Sequence, residues 1–185
     1  MKQLLIFLGI VAACVLGYMS VYNGVINASE QVDRALGDID AQLQRRSDLI
    51  PNLVNAVSGY MSHEKEAIEL VTNARAKLNG AQSIEQKSAA NNELSRALGS
   101  FMLVVENYPD LKASTNFIQL QDELAGTENR IAFANRTYNE AVSVYNLKIK
   151  GIPGKWIAEN LGYKQREYFK VDEAKKEVPK VEFKK

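Results

Sequence analysis

Residues 4–21, LLIFLGIVAACVLGYMSV, form an uncharged and almost wholly apolar run, and Lys2 is the only charged side chain before Glu30. At about 1.5 Å per helical residue this run measures about 27 Å, close to the roughly 30 Å hydrocarbon core of a bilayer. A chain that begins this way must place the segment in lipid or have it removed. A cleaved signal would have a shorter apolar core, then small residues, then polar sequence. Here VLGYMSVY extends the apolar run past every plausible cut, so a retained single-pass anchor over residues 1–22 is the expectation.

Residues 11–14, VAAC, offer one rival, because they resemble a bacterial lipobox in which Cys14 would be acylated. A lipobox cysteine is followed by a flexible polar tether, and residues 15–21 are apolar, so Cys14 reads more simply as a small residue of a membrane helix. Lys2 and the α-amino group flank one end of the run, against Glu30, Asp33 and Arg34 beyond the other. The positive-inside rule then leaves the N-terminus in the cytoplasm and the rest of the chain outside.

Beyond the anchor, helical spacing continues through Val21, Val25, Ala28, Val32, Leu36, Ile39 and Leu43, so anchor and domain should share one long helix. A second run carries Leu53, Val57, Tyr60, Met61, Ile68, Val71 and Ala74. It stops at Asn79 and Gly80, residue types that cap helices in a left-handed conformation. A third opens with Ser83 and Gln86 in capping-box spacing and reaches Tyr108 and Pro109. The fourth, after Ser114 and Thr115, runs from Phe117 through Leu120, Leu124, Ile131, Ala134, Tyr138, Val142, Tyr145 and Ile149 to Gly151 and Pro153. Four amphipathic runs with short connections predict an all-α fold, an antiparallel up-and-down four-helix bundle over residues 23–150. Residues 151–185 are expected as a short helix and a tail whose alternating residues 177–183 form an extended arm.

An even number of helices returns the chain to the end where the anchor enters. GIPGKWIAENLGY, with Trp156 beside Lys155, then lies near the headgroups, where an amphipathic aromatic is favourable. The alternative is that Trp156 plugs the open end of the core. Beyond Tyr163 the tail has eight Lys and Arg against five acids, enough for weak attraction to anionic headgroups.

RRSDLIPNLV, residues 45–54, is an unusual insertion into a helical pattern. Pro51 has no N–H and is tolerated in the first turn of a helix, where that donor has no partner anyway, so Asp48 reads as an N-cap and the stretch as a corner or sharp kink. Arg45 and Arg46 would then occupy the last turn of the preceding helix, near its carbonyl ends and within reach of Asp48 or Glu106.

Catalytic chemistry finds little support. His63 in HEKEA lacks the second histidine that a zincin needs four residues on, because that residue is Ala67, and His63 is the single histidine. That excludes a zinc protease of this kind. His63 reads as a surface residue of the second helix. One cysteine cannot build a disulfide framework or a thiolate metal site. Carboxylates at Glu64/Glu66, Asp122/Glu123 and Glu128 could in principle act as general acids, but adjacent acids face different sides of a helix. Glu128 and Arg130 interrupt the apolar stripe of the fourth helix, and a partly buried polar network with Arg45 or Arg46 is the alternative to solvated flanks. Tyr-Asn recurs at Tyr22, Tyr138 and Tyr145, pointing to core tyrosines with satisfied hydroxyls and to Tyr22 stacking near Tyr145. Lys and Arg total 23 against 22 acids, so no basic field exists for a nucleic-acid partner. No catalytic, cofactor-binding or metal-binding residue is assigned.

The segments RRSDLIPNLV, GYMSHEKE, NYPDLKAS, NFIQLQDELAGTENRIAFANRTYNEAV and the terminal VPKVEF closely resemble the LemA family of bacterial membrane proteins, from about residue 22 to 183. Leu36 and Asn135 depart from that family's pattern, where tryptophan and arginine are common. The resemblance implies an N-terminal anchor and a helical bundle with no established activity. One branch of the family is associated with magnetosome membranes, and others occur beside membrane proteases or TPM-domain proteins. The expectation is therefore a membrane-anchored, self-associating interaction scaffold without catalysis, or an accessory factor for a membrane protease or membrane remodelling. Leftover apolar positions Val104, Ile118 and Val144 favour the first.

Overall fold

The computed structural model describes residues 1–61 and 63–170. Six helices and no strand occur among them: α1 Lys2–Ser58, α2 Lys65–Gly80, α3 Ile84–Val105, α4 Pro109–Lys112, α5 Thr115–Lys150 and α6 Gly154–Leu161. The all-helical class is as expected, and the arm expected at residues 177–183 lies outside the described residues. The described residues divide into two compact units, one of Met1–Ile39 with Ala134–Tyr168, the other built on Asp40–Phe133.

The unit holding the N-terminus has a core in which Val25, Ala28, Val32, Ala35 and Ile39 of α1 and Ala134, Tyr138, Val142, Tyr145 and Ile149 of α5 are buried. Spacings of three and four on both helices produce these stripes. Ala35 takes the buried place expected for Leu36, which is half-buried. The apolar run of α1 is exposed throughout, with a mean hydropathy of 2.5 over 18 residues and none of that window buried. Exposed Cys14 lies within it. Tyr22 stacks on Tyr18 at 6.1 Å between ring centroids, while Tyr145 meets Tyr163 edge-on at 6.3 Å, so the expected Tyr22–Tyr145 pairing is corrected.

In the second unit, α1 supplies buried Leu43, Ile50, Leu53 and Val57, and α3 supplies Leu94, Leu98, Phe101 and Val105. Phe117, Leu124 and Ile131 complete this core from α5. Helices α2 and α3 form a hairpin, closed by the short link around Ser83. Ser83 accepts from the Gln86 N–H and Gln86 reaches back to the Ser83 N–H, the reciprocal capping box that the spacing predicts. Gly80 is not a left-handed cap: it is the last residue of α2, and Ala81 continues in extended conformation. Among the described residues the positive-φ glycine is Gly162, which ends α6.

The helix boundary expected at Asp48, with Pro51 in a new first turn, is absent. Helix α1 runs through Pro51 to Ser58, and the chain turns over residues 59–64 instead. Asp48 caps nothing; it accepts from Gln44 Nε2 one turn earlier, at 2.8 Å. His63 lies exposed in that turn rather than on a helix.

Candidate functional site

Proline at position 51 removes the N–H that would bond the carbonyl of Ser47. Ser47 is wholly buried, and an orphaned acceptor there would cost about 1–3 kcal/mol. Arg75 of α2 meets the need by donating its Nε to Ser47 O at 2.9 Å. The Ser47 hydroxyl in turn donates to Asn79 Oδ1 at 2.6 Å, tying the end of α2 to the same turn of α1. Arg75 was not singled out from sequence, and Asn79, read there as a helix-end residue, instead accepts from Ser47; the missing N–H at Pro51 was the signal that another donor should lie opposite.

Arg46 lies one residue before this point and faces inward, 4% exposed. Its Nη1 donates to Asn91 Oδ1 of α3 at 2.7 Å and lies 2.6 Å from Glu128 Oε2 of α5. Burial lowers the guanidinium's pKa from its ordinary value, and the adjacent Glu128 carboxylate opposes that shift. Glu128 keeps 35% of its side chain exposed, so water shares in solvating the pair. Arg45 points the other way and forms an exposed pair with Glu123 at 2.9 Å, a contact worth about 0–1 kcal/mol. Both arginines lie inside α1 rather than in its last turn, and each pairs with an acid of α5 rather than with Asp48 or Glu106. Arg130 stays out of the buried network: it donates to Thr127 Oγ1 at 3.1 Å and lines an open cleft of about 880 Å³ with Arg45, Asn52, Asn55 and Glu123.

The candidate acids mostly have partners, and Asp122 lines that cleft beside Glu123. Glu64 accepts from Tyr108 OH at 2.8 Å, Glu123 is taken by Arg45, and Glu128 faces Arg46. Among the described residues no cluster of His, Cys, Asp and Glu is placed to hold a metal ion.

In the other unit, α5 grips an extended segment over residues 163–168. Tyr145 OH donates to Lys164 O at 2.9 Å and Tyr138 OH to Glu167 O at 3.0 Å. Between them Asn146 bonds both backbone groups of Arg166, giving Nδ2 to its carbonyl at 2.9 Å and taking its N–H at 3.0 Å. Arg166 also reaches Asp33 of α1 at 3.0 Å. Burial raises the pKa of both tyrosines, with Arg166 opposing.

Helix α6 precedes that segment. Gly154, Ile157 and Ala158 form its buried face, whereas Trp156 is 60% exposed beside Lys155. Trp156 therefore does not plug the core, because a residue two positions after Gly154 and one before Ile157 falls on the opposite side of an eight-residue helix. A Cβ at Gly154 would collide with the carbonyl of Lys148 and sit against Val25, so glycine permits this close approach of α6 to α1 and α5. Lys148 Nζ donates to Gly24 O at 3.0 Å at the same level.

The family model described as the LemA family matches residues 35–183. Among curated relatives, Magnetosome protein MamQ 2 of Paramagnetospirillum magneticum is 26% identical over 174 residues, covering 80% of this chain and 64% of its own. Protein LemA of Metamycoplasma hominis is 26% identical over 149 residues, covering 78% of this chain and 66% of its own. Magnetosome protein MamQ of Magnetospirillum gryphiswaldense is 24% identical over 174 residues, with coverages of 80% and 64%. The chain thus spans slightly less than two-thirds of the length of the curated relatives it matches.

Proposed function

The chain belongs to the LemA family, and from that premise we propose that it is a bilayer-anchored interaction scaffold that self-associates and carries no catalysis of its own. Residues 1–22 are the single membrane span, residues 23–150 an antiparallel helical bundle, and residues 151–185 a short helix and tail. The N-terminus lies in the cytoplasm and the remainder outside the inner membrane. One observation carries the reading: the apolar window of α1 is entirely exposed, at a mean hydropathy of 2.5, and passes without a helix break into residues that build a core. Burying that surface in water's absence is worth about 25 cal/mol per Å² of apolar area, which only lipid or a large apolar partner supplies.

Self-association is supported by large apolar side chains left exposed past the anchor: Leu103 (74%), Leu147 (68%), Val144 (45%) and Ile118 (44%). Val104, also expected to be left over, is half-buried. Cross-linking in intact membranes tests both parts. Carbonate-resistant membrane association with cross-linked dimers or larger species is expected. Extraction by carbonate removes the anchor, and monomers alone remove the self-association.

The magnetosome names of two relatives favour a second reading, an accessory factor in membrane remodelling; an accessory role for a membrane protease or TPM-domain protein is its variant. Co-purification of a stoichiometric membrane partner in mild detergent would select it over self-association.

A further inference from the structure

Lys150 at the end of α5, Lys155 on α6 and Lys164 at the start of the extended segment converge on one cleft of about 590 Å³, which Gln165 and Glu159 also line. Glu159 lies 4.0 Å from Lys155, and among the described residues neither Lys150 nor Lys164 has a carboxylate within ion-pair distance. Three lysines against one acid leave the cleft strongly cationic. Ile152, 73% exposed, and Trp156, 60% exposed, lie close to the cleft's lysines in sequence and are left in the open by the fold.

The height of this cleft along the anchor follows from two contacts. Lys148 is bonded to Gly24 O, and the backbone at Gly154 lies against Val25. Gly24 is three residues beyond the end of the apolar run, a rise of about 4.5 Å. A headgroup layer is roughly 5–7 Å deep on each side of the hydrocarbon core. A side chain of tryptophan length starting at that level reaches the hydrocarbon boundary, where indole is favoured.

We propose that this cleft binds the phosphodiester of an anionic phospholipid headgroup in the leaflet where α1 leaves the bilayer, with Trp156 and Ile152 inserted alongside. The proposal rests on the anchored reading above and adds a lipid preference to it. Lys150, Lys155 and Lys164 converge on the phosphate as point charges, and Gln165 offers an amide donor to its oxygens.

Trp156 is the single tryptophan, so its fluorescence reports the site directly. Full-length protein is reconstituted in vesicles of phosphatidylcholine and phosphatidylglycerol in equal parts, with bromine on the acyl chains of one lipid or the other. Stronger quenching by brominated phosphatidylglycerol is expected, falling with added salt. The Lys150→Gln, Lys155→Gln, Lys164→Gln variant is expected to lose that preference, by about fivefold per lysine, while its circular dichroism and flotation stay unchanged. Equal quenching by the two lipids, no quenching, or a preference that survives the triple substitution overturns the proposal. So does inorganic phosphate that abolishes the preference at unchanged ionic strength, since the cleft would then be a site for soluble anions. Failure of the chain to float with the vesicles defeats the anchored reading itself, whereas flotation without quenching defeats only the lipid site.

Discussion

Arg75 Nε donates to the carbonyl oxygen of Ser47 at 2.9 Å, the acceptor that Pro51 leaves without its helical N–H. The proline and the arginine belong to different helices, yet each accounts for the other.

Arg75→Ala should lower stability by about 1–3 kcal/mol, because a buried carbonyl loses its donor. In a Pro51→Ala background the N–H of residue 51 returns to Ser47, and the same substitution should cost less by about 1 kcal/mol or more. Urea melts of the four proteins in a double-mutant cycle measure the difference. Equal costs in both backgrounds would show that Arg75 does not compensate for the proline.

Glu128→Ala removes the carboxylate facing a buried guanidinium and should cost about 2–3 kcal/mol, below the 3–5 typical of fully buried pairs because Glu128 is partly solvated. Glu123→Ala breaks only the exposed pair with Arg45 and should stay within about 1 kcal/mol. Melting curves at neutral pH rank the two, and the reverse order would place the important charge on the surface.

Tyr138 and Tyr145 have pKa values raised above the ordinary tyrosine range in the folded protein, chiefly by burial. Each gains its partner as a neutral donor, so its contribution is fully present below a tyrosine's ordinary pKa of about 10 and is lost as pH rises through the folded value. Limited proteolysis at residues 163–168 should accelerate above that range. The Tyr138→Phe, Tyr145→Phe double variant should be cut faster at neutral pH, and its residual acceleration at high pH should be much smaller.

Ile157→Ala should destabilise by about 2–5 kcal/mol, the usual range for truncating a buried isoleucine. Trp156→Ala, on the exposed side of α6, should change stability by no more than about 0.5 kcal/mol despite deleting a larger side chain. Thermal melts in detergent separate the two faces; a large loss for Trp156 would mean that α6 is rotated from the orientation described.

Much of the fold was legible because helical periodicity depends only on which residues avoid water. Buried Val25, Val32, Ile39, Leu124, Ile131 and Tyr138 fall where the spacing predicts, as do the capping box at Ser83 and the stop before Gly151. The misplaced boundary at Asp48 came from reading Pro51 by local rules. A tertiary donor, Arg75, relieved the defect that those rules treat as a helix end, and no window of sequence around Pro51 contains it. The same limit applied to the polar residues. Glu128 could be suspected from its interruption of an apolar stripe, but Arg166 interrupts nothing, and Asn91, on the buried stripe of Leu94, Leu98 and Phe101, does not announce its partner. Their roles come from partners distant in sequence, Arg46 for Asn91, and Asn146 and Asp33 for Arg166. The alternative that Trp156 plugs the core rested on bulk and apolarity, which favour burial in general, whereas Gly154 and Ile157 decide which face of α6 turns inward.

The grip on residues 164–167 is made almost wholly through main-chain atoms: two tyrosine hydroxyls and one asparagine amide meet three carbonyls and an N–H. Such a clasp is blind to the side chains it holds, apart from Arg166. Evolution can therefore rewrite Glu167 without loosening the clasp, and is constrained at Lys164 and Gln165 only by what their side chains bind, while mutations at Tyr138, Tyr145 or Asn146 would be purged. Across descendants of this chain, drift should fall on Glu167 within the held segment and constancy on the helix that holds it.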